Sequence, residues 1–134
     1  PRFYSRHNSR YWTLSDYLGL GPGAHSYLNG KRFAYLPSLT DFCNCPQPVQ
    51  EELVAGFAPH AEYIMLRLRT ADGIDRLDFE ARFGRPFAPY AARLAALRAP
   101  GLTLETADGW RLTERGFLVS NSIITDVLSV DEMI

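Results

Sequence analysis

Ser5-Arg6-His7-Asn8-Ser9-Arg10-Tyr11-Trp12 is followed, after a polar step, by Asp16-Tyr17-Leu18-Gly19-Leu20-Gly21-Pro22-Gly23-Ala24-His25-Ser26-Tyr27. This span holds two of the three histidines of a 134-residue chain. The rings of His7, Tyr11, Trp12 and Tyr17 sit beside a backbone made permissive by Gly19, Gly21 and Gly23. Such a composition suits a flat, polarisable ligand that main chain can approach closely. Everything after it reads as scaffold.

The length corresponds to about one domain with a real core. A hydrophobic share of 46% and a charged share of 22% are ordinary for a globular protein. The net charge of −1 argues against a nucleic-acid or anionic-membrane surface as the main partner. No stretch reaches the ~20 apolar residues of a membrane span, and the amino end lacks the apolar region of a signal peptide. Cys43 and Cys45 are too few and too close for a disulfide framework, which points to a reducing compartment. The first residue is Pro1 rather than methionine, inside a polar-aromatic run, as expected for a piece of a longer protein.

Working outward, Asp16–Tyr27 reads as a buried strand turning at Gly21-Pro22-Gly23. Asn29-Gly30 predicts a hairpin between Ala24–Leu28 and Arg32–Leu36, because both central residues of a mirror-image turn need positive φ. Ser38 with Asp41 predicts a short helix from Leu39. Asn44–Val49 holds two prolines and reads as a connector. Helices are predicted over Pro59–Thr70, Arg76–Phe83 with Gly84 as its stop, and Pro86–Arg98. Leu102–Glu105 and Trp110–Leu112 alternate around Asp108-Gly109, a second hairpin. Thr113 then caps a last helix running to about Leu128, with Phe117, Ile124 and Leu128 as candidate core. Three helices, a hairpin and a closing helix make a winged-helix-like unit. Its third helix carries only Arg93 and Arg98 as basic residues among alanines, too few phosphate anchors for a groove reader.

As chemistry, Cys43-x-Cys45 lacks the second pair of a tetrahedral metal site, and His60 has no fixed distance from it. His25, with Ser26 beside it, has no carboxylate close in sequence to orient it, so it is either a structural histidine or a pocket wall. His7 admits two readings on its residues alone. It is an axial ligand for haem iron among stacking rings, with Asn8 bonding a ring edge, or Tyr11 and Trp12 are core packing and His7 is incidental.

The run His7-Asn8-Ser9-Arg10-Tyr11-Trp12 has the form His-Asn-x-x-Tyr-Trp, and Asp16 to Ser26 follows it. With Glu62 to Arg69, Gly73-Ile74-Asp75, Phe83-Gly84, Trp110 to Gly116, Val119-Ser120-Asn121 and Ile123, it resembles the HemW group of haem chaperones. That group lies within the oxygen-independent coproporphyrinogen III oxidase-like radical SAM proteins. The resemblance implies an α+β carboxy-terminal portion. Residues 1–36 would be the last strands and hairpin of a truncated (β/α) barrel, 37–54 a connector, and 55–134 the winged-helix-like domain. The family's barrel carries Cys-x-x-x-Cys-x-x-Cys for a [4Fe–4S] cluster and S-adenosylmethionine. Cys43-x-Cys45 does not match it, so those cofactors and the radical chemistry belong to a full-length parent.

By the same carry-over His7 is the haem-iron ligand, supported by Asn8, Tyr11 and Trp12, while Gly21, Gly23, His25 and Ser26 line the barrel mouth. The implied function is cytoplasmic binding of haem and its delivery to acceptor proteins. The rivals are a fragment of a coproporphyrinogen III oxidase and a winged-helix-type protein-interaction module. A hairpin cut from a barrel leaves open strand edges, so self-association through residues 1–36 is also expected.

Overall fold

The computed structural model describes residues 5–44, 49–50 and 58–132. The chain forms two units, Pro1–Phe57 and Ala58–Ile134. Both mix helices with a small antiparallel sheet, an α+β architecture.

In the first unit, helix α1 spans Arg6–Trp12, an element that the sequence did not predict. Local capping explains it. Ser5 is extended and its hydroxyl accepts the Asn8 N–H at 3.3 Å. At the other end the Thr13 hydroxyl donates to the Ser9 carbonyl at 2.9 Å. No residue of α1 is buried, so there was no apolar stripe to read. The expected strand over Asp16–Tyr27 is reduced to a single bridge, Tyr17 opposite Tyr27, followed by strand β1, His25–Leu28. Leu18 and Leu20 are exposed rather than buried. Their backbone bends through Gly21 (φ 113°) and Gly23 (φ 69°), outside any ladder.

The Asn29-Gly30 turn forms as predicted, with φ of 51° and 73°. It joins β1 to β2, Lys31–Ala34, with Leu28 opposite Lys31 and His25 opposite Ala34. Ser38 accepts the Asp41 N–H at 3.2 Å and starts α2, Leu39–Asn44. Tyr35 and Phe42 meet edge to face, so α2 packs beside the end of β2. Strand β3, Val49–Gln50, then pairs with β2 and gives the order β1-β2-β3.

The second unit runs α3 Pro59–Arg67, β4 Ile74–Asp75, α4 Arg76–Phe83, α5 Ala88–Ala96, β5 Thr103–Glu105, β6 Gly109–Leu112, α6 Glu114–Leu118 and α7 Ser120–Leu128. A 3-10 turn, Ser129–Glu132, closes it. Pro59 opens α3, Gly84 ends α4 at φ 60°, and Thr113 caps α6 through the Gly116 N–H, all as the sequence predicts. Four features differ. Ile74–Asp75 is a third strand, in the order β4-β6-β5, too short to show a period. The hairpin turn centres on Ala107-Asp108, because the Thr106 N–H donates to the Gly109 carbonyl at 2.8 Å and Gly109 already pairs with Asp75. The closing helix breaks at Val119 (φ −120°, ψ 23°) into α6 and α7. Phe117 therefore lies 38% exposed instead of in the core.

The core of this unit is aromatic. Phe79 is fully buried, and its ring packs against Tyr63, Phe83, Phe87 and Tyr90 at centroid distances of 5.2–5.9 Å. Ile64, Leu68, Leu94 and Val127 complete it. Thr103, buried, bonds the Leu94 carbonyl at 2.6 Å and fastens the hairpin to α5. Among the described residues no helix is long and apolar enough to cross a membrane.

Candidate functional site

The helical turn of α1 brings His7 and Tyr11, four residues apart, onto one face. The Tyr11 hydroxyl lies 2.8 Å from His7 Nε2, and the two rings meet edge to face at 5.2 Å. Among the described residues His7 Nδ1 has no hydrogen-bond partner. The row continues. Tyr11 meets Tyr17 edge to face at 4.5 Å, Tyr17 stacks on Tyr27 at 6.5 Å, and the Arg32 guanidinium lies 5.9 Å from the Tyr27 ring centre. The Tyr17–Tyr27 bridge, which aligns the row, holds through backbone hydrogen bonds of 2.8 and 3.0 Å. His7 is exposed and Tyr11 is 36% exposed, while Trp12, one residue on and about 100° round the helix, is 38% exposed. The face is an open aromatic ledge that ends in one imidazole.

The other predicted site residues have different places. Asn8 is exposed on α1, and its backbone N–H caps on Ser5. Ser26 is fully buried and its hydroxyl accepts the Gly19 N–H at 3.0 Å, a pin between two segments. A side chain at residue 19 would meet the His25 carbonyl oxygen at 2.3 Å, so this close approach requires glycine. Gly23 donates its N–H to the Leu36 carbonyl and Ala24 to that of Gly21, so those two turn amides are taken by main chain. His25 stands exposed on β1. Cys43 is exposed on α2 and Cys45 lies outside the described residues. Among the described residues no group of three or more His, Cys, Asp or Glu side chains could hold a metal ion.

Two polar clusters in the second unit were invisible in the sequence. His60 Nε2 lies 2.6 Å from Arg85 Nη1 and 3.1 Å from Asp131 Oδ2, and the Tyr90 hydroxyl donates to Asp131 Oδ1 at 2.5 Å. A guanidinium only donates and a carboxylate only accepts, so Nε2 serves one of them at a time. Burial first, then the bond to Asp131 and its charge, push the Tyr90 hydroxyl up and keep it a donor. These residues lie up to 71 positions apart and tie α3, α5 and the last turn together.

In the second cluster the Tyr63 hydroxyl donates to Asp78 Oδ2 and Arg82 Nε to Oδ1, both at 2.7 Å. Burial raises the Asp78 carboxyl, but the hydrogen bonds from Arg82 and Tyr63 outweigh it and leave it below its ordinary 3.8. A carboxyl lowered by folding stabilises the fold above its unfolded value and loses that contribution as pH falls through the folded one. Asp78→Asn is therefore expected to lower the thermal midpoint near neutral pH, with the two proteins converging well below the ordinary carboxylate range. Parallel melts across that range that stay equally far apart would show that Asp78 is not the titrating strut.

Residues 60–119 match the model of the family described as HemN C-terminal domain. The chain is 27% identical, over 98% of its length, to heme chaperone HemW of Lactococcus lactis subsp. lactis (strain IL1403), covering 36% of that protein. It is 29% identical, over 92% of its length, to heme chaperone HemW of Escherichia coli (strain K12), covering 34% of it. Over 55% of its length it is 37% identical to the Synechocystis sp. (strain ATCC 27184 / PCC 6803 / Kazusa) heme chaperone HemW, covering 20%. Among solved structures it matches the radical SAM enzyme coproporphyrinogen III oxidase (HemN) from Escherichia coli with a TM-score of 0.52 at 19% identity. That match covers 84% of this chain and 28% of the other, and at such identity it shows the fold alone. The chain spans about a third of the length of the first two HemW proteins.

Proposed function

We propose that this chain, a homologue of the heme chaperone HemW proteins with a HemN C-terminal domain match over residues 60–119, is the carboxy-terminal part of a haem-binding chaperone that passes haem to acceptor proteins. One observation carries the reading. His7 is an exposed imidazole at the end of an aromatic row, on a helix with no buried residue. A planar macrocycle needs such an open face, with rings for its π-surface and a nitrogen for its iron. In this proposal His7 ligates the iron, Tyr11 and Trp12 pack against the macrocycle, and Asn8 bonds a polar edge.

Gly21, Gly23, His25 and Ser26 then belong to the mouth of a barrel whose remainder lies in a longer parent. Within this reading residues 1–36 are the barrel remnant, 37–54 the connector and 55–134 the appended domain, and the setting is the cytoplasm. The [4Fe–4S] cluster and S-adenosylmethionine would belong to that parent alone. The order helix, strand, helix, helix, hairpin, with β4-β6-β5 pairing, supports a winged-helix-like second unit. Exposed Leu18, Leu20 and Leu36 support self-association through the first unit.

Haem titrated into the chain is expected to give a saturable Soret shift. His7→Ala should weaken it by at least the roughly 10–100-fold that loss of an outer-shell metal partner costs. Since α1 buries nothing, far-ultraviolet circular dichroism should be unchanged. Equal binding by the variant would remove His7 as the ligand.

A further inference from the structure

We infer that Tyr11 is a latch on the iron-facing nitrogen of His7, so that haem capture begins with the breaking of the His7–Tyr11 hydrogen bond. The inference rests on the haem-binding reading above and adds how that site is held before haem arrives. The Tyr11 hydroxyl sits 2.8 Å from Nε2. Nε2 is the ring nitrogen farther from the main chain, and therefore the one that reaches the centre of a wide, flat ligand without the helix striking its edge. Nδ1 is attached to Cγ, the ring carbon that carries Cβ, and is the nitrogen nearer the main chain.

A neutral imidazole has one nitrogen that donates and one that accepts. If Nε2 accepts from the phenol, the lone pair that would bond iron is the one already in use. If Nε2 donates instead, it carries a proton and has no lone pair to offer. Either way ligation through Nε2 excludes the contact with Tyr11. The latch can open, because Tyr11 is 36% exposed and its ring is seated edge to face on Tyr17 at 4.5 Å, which is independent of its hydroxyl. A protein that hands its cargo on gains from this arrangement: the tyrosine competes for the nitrogen and favours release.

The competing role makes the opposite prediction. A tyrosine that orients His7 as an outer-shell partner would strengthen ligation, and its loss would weaken binding. Tyr11→Phe keeps the ring and removes only the hydroxyl. Titration with ferric protoporphyrin IX should then show haem binding tightened by roughly two- to tenfold, the range a single net hydrogen bond supplies. In a His7→Ala background the same change should have no effect, since nothing remains to latch. In the haem-free chain, the His7 ring nitrogen-15 shifts should move in Tyr11→Phe, because the hydrogen bond fixes which nitrogen holds the proton. Unmoved ring shifts, or unchanged or weaker haem binding by Tyr11→Phe, overturn the latch while leaving the haem reading intact. Failure of both the parent chain and Tyr11→Phe to bind haem overturns the two together.

Discussion

Phe79→Ala is expected to destabilise the second unit by about 3–5 kcal/mol, the usual cost of emptying a buried phenylalanine site. The ring is fully buried and touches four others, those of Tyr63, Phe83, Phe87 and Tyr90. They come from α3, α4, the turn before α5 and α5 itself. Its loss leaves a void between elements that cannot all close on it, so the cavity adds to the lost transfer energy. Domains have only about 5–15 kcal/mol in total, so this is a large fraction of the whole. Leu77, on the same helix but 64% exposed, is the control, and Leu77→Ala should stay within about 0.5 kcal/mol. Denaturant midpoints of the two variants decide it. A Phe79→Ala midpoint beside that of Leu77→Ala would mean that Phe79 is not the centre of the core.

Gly109→Ala should cost about 2–3 kcal/mol, toward the upper end for overpacking. A Cβ there would lie 2.1 Å from the Ile74 carbonyl oxygen and 3.2 Å from the Arg76 nitrogen. Both obstacles are main chain, so no rotamer can relieve them. The residue is not at positive φ, so the need for glycine comes from the neighbouring strand and not from its own conformation. Relief requires β4 to withdraw from β6, breaking the pairs Ile74–Trp110 and Asp75–Gly109. Trp110, now buried, would meet water, so its emission should shift to the red, read in a Trp12→Phe background that removes the other indole. Unchanged emission and an unchanged melting midpoint would place β4 farther from β6 than described.

The local signals were legible because their physics is local. Asn29-Gly30, Ser38, Pro59, Gly84 and Thr113 each act within four residues through a cap, a turn or a fixed φ, and all five act as the sequence predicts. Helix α1 was missed although its cap is local too, since an exposed helix leaves no apolar period to count. The break at Val119 was missed because Thr113, Ile124 and Leu128 fit one continuous period, and only burial reveals the exposed Phe117 between them.

Sequence by itself determined the capped and turned ends at Asn29-Gly30, Ser38, Pro59, Gly84 and Thr113, and the residue types of the aromatic span. Those depend on neighbours along the chain, whose distances covalent geometry limits. Tertiary structure alone decided that His7 and Tyr11 share a hydrogen bond, that Tyr17 and Tyr27 extend their row, and that Gly109 serves Ile74. It also decided that His60, Arg85, Tyr90 and Asp131 meet. Each of these needs a helix turn, a strand pairing or a packed core to bring side chains together, and hydrogen bonds and ring contacts act only over a few ångströms.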